Sequence, residues 1–565
     1  MHKQLTVIDL FCGAGGFSEG FKQQGFKIVA GYDHWKPAID TFNFNFGVGK
    51  AVLIDLLKLG RSLKAIEALP DTNVILGSPP CVSFSSSNNS GKADKSMGKR
   101  LTKIFLKIVA IKKHKRGSIL QAWFMENVAR SIDHVSKNYT FSELGLTAWA
   151  KKNGYSPQKI ALRIKDNHAV LNAADYGAPQ QRIRAVAGEV IPVKRLVVPK
   201  PTQKHVTLRQ IRECLPSPNL AMANDLIYDP LYPHIAIKHN ELTDHFYDTG
   251  LYSIEWTSSQ FQKINHPYMG KMSFPENESK PSRTIIATSI GTSRETIIYR
   301  SEYNRIGNGE FRTPTVRESA TLMSFPINYQ FIGAEHAKTR LVGNAICPSV
   351  SRALAATVRS AMAISKVRRP VVRTNVDIST VPNLNTFQEK EFTSPPKKKE
   401  GATFRRHAFK EGNLTVTLSN FDIRKKQGKK TKPANKWITS VQYGRGEGYP
   451  CQTFRDNYYK KIEPVIKTFE QGTHFVEMIN NGFSEKIASG KLLQKIHEEQ
   501  AGRDGFHTPL ELLEKVTALV NEIKFEHPDH DQKGQRIFKK KIIPKKQLLA
   551  LYAINKISTV ANERS

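Results

Sequence analysis

The strongest constraint on the fold is an alternation of short apolar runs with helical patterns that starts at the first residues. LTVIDLF reads as a strand, and DLFCGAGGFSEGF (Asp9 to Phe21) leads through a glycine turn into a helix beginning over Phe17–Gln24. FKIVAGYD is a second strand and KPAIDTFNFNF a second helix, with further strands at AVLIDL and NVILGSPP. LTKIFLKIVAIKKHK has apolar positions three to four apart, as a helix does, and QAWFMENV is another strand ending in polar residues. Strands separated by helices pair in parallel, with the helices covering the sheet. The expected class is therefore α/β with a mostly parallel, Rossmann-like sheet.

The alternation persists to about Val190. Residues 191–310 are rich in Pro, His, Asn and Tyr, with only short strand-like pieces, and helical patterns return at TVRESATLMSFP and SVSRALAATVRSAMAI. VRRPVVR and TSPPKKKE mark 366–400 as a linker with little core potential. Beyond 401, NLTVTLSNF and KWITSVQYG read as strands, and helix-like stretches follow near 456–498 and 509–525. The expected domains are 1–190 and 336–365 for one α/β unit, 191–335 as a small inserted domain, and 401–565 as a basic α+β domain. No internal repeat is present.

Charge and cysteine usage narrow the function. A net charge of +35 draws polyanions, with nucleic acid the first candidate. No run of about 18 apolar residues predicts a membrane span, and the N-terminus reads as a strand entering a glycine loop, not as a signal peptide. The cysteines, Cys12, Cys81, Cys214, Cys347 and Cys451, are odd in number, scattered and without a CxxC pair, so neither a disulfide framework nor a metal site is expected. A reducing cytoplasm fits that usage.

The residues that bear chemistry fall at strand ends, where open parallel sheets bind ligands. Asp9, Gly13, Gly15 and Gly16 form a turn that lets a ligand approach the backbone and a helix N-terminus, although such turns also serve plain strand–helix packing. Asp33, after the next strand, is placed to accept from ribose hydroxyls, and Asp55, after the third, from an adenine amine. GSPPCVSFSSS puts Pro80 and Cys81 at the same edge. A lone cysteine is more often an inert buried side chain, but Glu126 and Asn127 end the following strand, and Arg182 and Arg184 lie two apart on one side of another. A thiol, a carboxyl and an arginine together suit nucleophilic attack on an electron-poor ring.

These segments resemble, in order, the blocks of the DNA cytosine-5 methyltransferase family. DLFCGAGGF is similar to its cofactor loop, GSPPCVSFS to its Pro-Cys loop, MENV to its Glu-Asn-Val block and LNAADYGAPQQRIRAVAG to its Gln-x-Arg-x-Arg block. PSRTIIAT with RTPTVRESATLMSFP resembles the ninth block, and LVGNAICPSVSRALA the tenth. The likeness covers roughly 1–190 and 281–360. It implies the class I S-adenosylmethionine-dependent methyltransferase fold with a target-recognition domain. It also implies Cys81 as nucleophile on cytosine C6, Glu126 on N3 and the exocyclic amine, and Arg184 on the O2 side, with Arg182 beside it. Pro80 would shape the loop and Asn127 brace it. Phe11 would pack on the adenosine of S-adenosylmethionine, His34 would lie beside the adenine, and Asn344 would close the site, its helix docking back beside the first strand. The chain departs from the family at Val82, where many relatives have Gln, at His34, and at Cys347-Pro348.

Because C6 of a stacked cytosine is out of reach, the nucleotide must be extruded, and SSSNNSGKADKSMGKR (Ser85 to Arg100) reads as the loop that closes over DNA. The segment 191–280 would read sequence, with Lys204, His205, Arg209, Tyr228, Tyr232, His234 and Lys238 as candidate contacts to phosphates and bases. Arg424, Lys425, Lys426, Lys429, Lys430, Lys432 and Lys436 suggest further phosphate contact. The expected function is DNA cytosine-5 methylation in the cytoplasm of a prokaryote or phage, nucleoid-associated, with double-stranded DNA and a cognate restriction endonuclease as partners. The alternatives are an RNA (tRNA) cytosine-5 methyltransferase and a catalytically silent DNA-binding regulator.

Overall fold

The structure is a computed structural model. It describes residues 4–80, 95–201, 204–220, 226–264, 272–288, 291–365, 367–374, 376–381, 385–393, 406–411, 414–420, 436–443, 451–453, 456–499, 503, 505–525 and 544–564. The contacts divide it into two compact units, one built from residues up to 395 and one from 396 onward.

The first unit is organised on a seven-stranded sheet. Its strands are β1 (Thr6–Leu10), β2 (Lys27–Asp33), β3 (Ala51–Leu53), β4 (Val74–Gly77), β5 (Ala122–Val128), β6 (His168–Asn172) and β7 (Ile183–Val190), in the order β3-β2-β1-β4-β5-β7-β6. The first five are parallel; β7 adds antiparallel to β5, and β6 antiparallel to β7 at the edge. Both faces are buried, which is why the strands read as nearly continuous apolar runs. Side chains alternate between faces: Val7, Val74, Leu76 and Phe124 enter one cluster, and Ile8, Ile75, Trp123 and Met125 the other.

α1 (Gly16–Gln23), α2 (Lys36–Phe46) and α7 (Pro348–Ala361) cover the first face. α3 (Lys95–His114) covers the second through Phe105, Leu106, Ile108 and Val109. α7 packs on α1 instead of lying beside β1 itself. At Gly20 an added Cβ would come within 2.4 Å of the Arg352 backbone nitrogen, so the two helices approach backbone to backbone. α3 begins at Lys95, so the segment expected as a closing loop to Arg100 is helical over its last residues, where Lys, Met and Arg favour a helix; Ser85 to Asp94 lie outside the described residues. Within 335–361 an apolar 18-residue window is long enough to cross a membrane, but 72% of that window is buried, as in a core helix.

The region expected to be irregular carries α4 (Ser253–Ile264) and two small hairpins, Leu226–Tyr228 with Ala236–Lys238 and Tyr299–Arg300 with Phe311–Arg312. α5 (Val316–Leu322) starts from a capping box in which Thr315 and Glu318 satisfy each other's backbone, and α6 (Glu335–Asn344) leads into α7.

The described residues of the expected linker, 367–374, 376–381 and 385–393, run as a strap along this unit. Val371 N–H donates to Gln23 O at 3.0 Å and Arg373 to Phe44 O at 2.7 Å. Further on, Asp248 N–H donates to Gln388 O at 2.9 Å, Lys390 donates to Gly250 O at 2.8 Å, and Arg305 pairs with Asp248 at 2.6 Å and with Glu389. The Arg305 guanidinium lies 4.7 Å from the Tyr303 ring centroid and 5.4 Å from that of Phe392. Polar anchors and stacked rings hold the segment, which explains why its sparse apolar content did not betray it.

The second unit has a four-stranded antiparallel sheet, β8 (Arg406–Glu411), β9 (Leu414–Ser419), β10 (Ile438–Tyr443) and β11 (Cys451–Thr453), in chain order. A helix over Lys545–Glu563, buried at Leu548 to Ile554, packs on it, with Thr439 donating to Ile554 O at 3.1 Å. Helices Asp456–Ile466, Gly490–Glu499 and Pro509–Glu522 complete the core. Of the expected cationic run, Lys436 is exposed; Arg424 to Lys432 lie outside the described residues.

Candidate active site at the carboxyl edge of the sheet

Parallel strands end on one side, so the segments after β1, β2, β4 and β5 converge. β5 and β7 place the central pair. Glu126 stands directly opposite Val186, and Arg184 is two residues along β7 on the same side. Arg184 Nε meets Glu126 Oε1 at 3.1 Å, with both groups largely buried. Burial pushes the Glu126 carboxyl above its usual range, against the opposing charges of Arg184 and Arg182 and a hydrogen bond from the Ser78 hydroxyl. Asn127 points to the other face, donates from Nδ2 to Pro79 O at 3.0 Å, and accepts the Val128 N–H at 2.8 Å. It thereby fixes the turn through Pro79 and half-buried Pro80. Cys81 and Val82 lie outside the described residues.

Arg182 takes a different position from Arg184. Its guanidinium is buried and donates to three backbone carbonyls, Ile285 O at 3.0 Å and Gly343 O and Ala345 O at 2.9 Å each. The sequence grouped the two arginines by spacing; the structure separates them, because Arg182 precedes β7 where the 285 and 343–345 segments cross. Cys347, noted from sequence only as a departure, lies within electrostatic reach of Arg182, Arg184 and Glu126. Burial raises its thiol pKa to about 11, so it stays a neutral thiol.

At the end of β1, Phe11 is half-buried and adopts a left-handed backbone, φ 61°. The three glycines differ in role. Gly13, φ 52°, faces open space. Gly15 and Gly16 are packing positions, where an added Cβ would come within 2.6 Å of the Phe46 ring and 2.2 Å of Ile346 O. Asp9 is fully buried: Oδ2 accepts the Ser18 hydroxyl at 2.8 Å and Oδ1 has no partner among the described residues. Burial, with Asp33 nearby, raises its pKa to about 7.

Asp33 holds the edge together. Oδ2 accepts the Gly13 N–H and Oδ1 the Trp35 N–H, both at 3.0 Å; Oδ1 also lies 3.4 Å from His34 Nδ1, and Oδ2 keeps a further lone pair. His34 is mostly exposed, with its pKa raised by a hydrogen bond to Asp33. Asp55 is exposed and caps a short helix by accepting Leu57 N–H at 2.9 Å. Asn344 is exposed at the end of α6, one turn beyond Arg340, whose guanidinium stacks on Trp35 at 4.8 Å. Trp35 and Arg340, missed in the sequence, join α6 to the end of β2. Asp9 Oδ1, a buried acceptor without a partner among the described residues, and the open flank of Gly13 fit a ligand with hydrogen-bond donors at this edge.

Among the expected recognition residues, Lys204, Arg209, Tyr228 and Lys238 are exposed and His234 is half-buried, while His205 pairs with Asp175 at 2.8 Å. Tyr232 corrects the expectation: it is 2% exposed, with its hydroxyl donating to Ser324 O at 2.9 Å. Asp229 accepts the N–H groups of Leu231 and Tyr232, a turn that swings the ring into the core.

The sequence model of the family described as C-5 cytosine-specific DNA methylase matches residues 5–360. The chain is similar to the type II methyltransferase M.HgiDI of Herpetosiphon aurantiacus, 28% identical over 362 residues that cover 63% of this chain and 94% of that protein. It is also similar to the type II methyltransferase M1.HphI of Haemophilus parahaemolyticus, 30% identical over 375 residues that cover 63% and 86%.

Proposed function

The chain belongs to the C-5 cytosine-specific DNA methylase family, and from that membership we propose that it methylates an extruded cytosine through a covalent bond between Cys81 and carbon 6. The enzyme is a DNA cytosine-5 methyltransferase. S-adenosylmethionine, when bound, supplies an electrophilic methyl group on its sulfonium. The unpartnered Asp9 oxygen and the open flank of Gly13 support a site there, with Phe11 packing on the adenosine, Asp33 accepting from ribose, Asp55 and His34 at the adenine, and Asn344 closing the edge.

The reacting base must leave the stack to meet buried groups. The Cys81 thiolate adds to C6, placing a carbanion-like charge at C5. Glu126 donates a hydrogen bond to N3 and accepts from the exocyclic amine, and Arg184 holds O2, so negative charge is stabilised as it develops. Burial raises the Glu126 pKa, which favours the protonated form that such a donation requires. After C5 is methylated, loss of its proton and rupture of the C6–S bond restore the ring and regenerate the thiolate. Asn127 keeps the Pro79–Pro80 turn, and with it the start of the Cys81 loop, in place. The observation that carries this reading is the buried Glu126–Arg184 pair at the strand edge braced to that turn.

The substrate is double-stranded DNA. On this reading residues 191–335 form the target-recognition domain, 1–190 and 336–365 the catalytic domain, and 401–565 a basic accessory domain that adds phosphate contacts. The cellular setting is the nucleoid-associated cytoplasm of a prokaryote or phage, beside a cognate restriction endonuclease. Transfer of labelled methyl from S-adenosylmethionine to duplex DNA and to tRNA tests the reading, together with trapping on a duplex containing 5-fluorocytosine. Label in DNA and an adduct mapped to Cys81 are expected. Label in tRNA alone, or a Cys81→Ala chain that still methylates DNA, overturns it.

A further inference from the structure

We infer that Arg182 is a positioning residue that couples the segment returning from the recognition region to the cofactor edge, and takes no part in the chemistry at the base. The inference rests on the site assigned above to Asn344. The segment at Ile285 is gripped on both of its backbone polar groups. Its N–H donates to Gln180 Oε1 at 2.8 Å, and its carbonyl accepts Arg182 Nη1 at 3.0 Å. Gln180 is itself fixed, donating from Nε2 to Leu322 O at 3.3 Å. The other nitrogen, Arg182 Nη2, donates to Gly343 O and Ala345 O, the carbonyls on either side of Asn344. The two gripped segments also touch directly: an added Cβ at Gly343 would come within 2.4 Å of Ile286 O.

One buried planar guanidinium thus sets the distance between residue 285 and the turn that presents Asn344. Its fork geometry suits several carbonyls at once, which a lysine ammonium cannot reproduce. Charge-assisted hydrogen bonds in a dry site are stiff, so displacement of one segment is passed to the other. Arg184, two residues on, faces Glu126 and is not part of this grip.

The test is a double-mutant cycle on S-adenosylmethionine binding, read by equilibrium titration of the full chain without DNA. Arg182→Met and Asn344→Ala are each expected to weaken binding about tenfold, the worth of roughly one charged hydrogen bond. The double variant should be little weaker than either single one, because the two act as a unit. Arg182→Lys, which keeps the charge and most of the volume, guards against loss of fold and should show the same non-additivity with partial rescue. Additive losses, or wild-type binding in Arg182→Met, overturn the coupling while leaving the site assignment standing. A wild-type chain that does not bind S-adenosylmethionine, or an Asn344→Ala chain that binds normally, removes the site assignment and the coupling with it.

Discussion

Arg184 reaches Glu126 across the junction of β5 and β7, Nε to Oε1 at 3.1 Å, the point where the sheet changes from parallel to antiparallel. The reversal matters: it lets an arginine from a later strand enter alongside a carboxyl from the middle of the sheet.

Glu126→Gln removes an acidic proton while keeping shape. A loss of about 10²- to 10³-fold in kcat is expected, with DNA affinity nearly unchanged. Because burial raises the Glu126 pKa, the wild-type rate should fall toward high pH as Glu126 loses its proton, and the Gln variant should lack this limb. A pH series of single-turnover rates checks both.

Asp9 gives a stability signature of definite sign. Its pKa is about 7 in the folded chain against 3.8 for an ordinary aspartate. Well below pH 3.8 both states hold the proton, and as pH rises from there toward 7 the unfolded chain releases it first, so folding loses stability. Asp9→Asn escapes that loss. Its advantage in unfolding free energy should be near zero well below pH 3.8 and grow to at most about 4 kcal/mol above pH 7. Urea denaturation without ligand reads the difference.

Arg312 is fully buried, pairs with Glu318 at 2.8 Å and Glu302 at 2.6 Å, and lies over the Tyr299 ring. It holds the Glu318 pKa down at about 2. Arg312→Met leaves that carboxylate without its partner, and a loss of about 3–5 kcal/mol is expected by chemical denaturation. In the wild type the Glu318 contribution is present above about pH 4.5 and lost as pH falls toward 2.

Tyr228 and Tyr232 should part company. Tyr232→Phe deletes a buried hydroxyl and should cost about 1 kcal/mol of stability with DNA affinity intact. Tyr228 is 57% exposed, and Tyr228→Ala should weaken DNA binding with little effect on unfolding. Fluorescence titration with duplex DNA beside thermal unfolding separates the two.

Where burial on one face repeated with a regular period, the sequence was readable: KPAIDTFNFNF coincides with α2, and QAWFMENV with β5 but for its first residue. Glu126 and Asn127 could be placed because strand ends project side chains predictably. Arg182 could not be separated from Arg184, since its role depends on carbonyls more than a hundred residues away. Asp55, expected as a ligand acceptor, also caps a helix through Oδ1, a second use of one carboxylate at a strand end that local pattern does not reveal. Tyr232 was misread because burial there comes from a turn made by Asp229, not from periodicity.

The strap gives the catalytic unit a longer boundary than the family-matched stretch ending at 360. Chain leaving α7 is first fastened near Gln23 and Phe44, then near Asp248, Gly250 and Arg305. A tug on residue 393 would therefore be borne first by the Arg305 clasp, as a shear load on stacked rings and ion pairs, and would reach the end of α7 only after that clasp gave way.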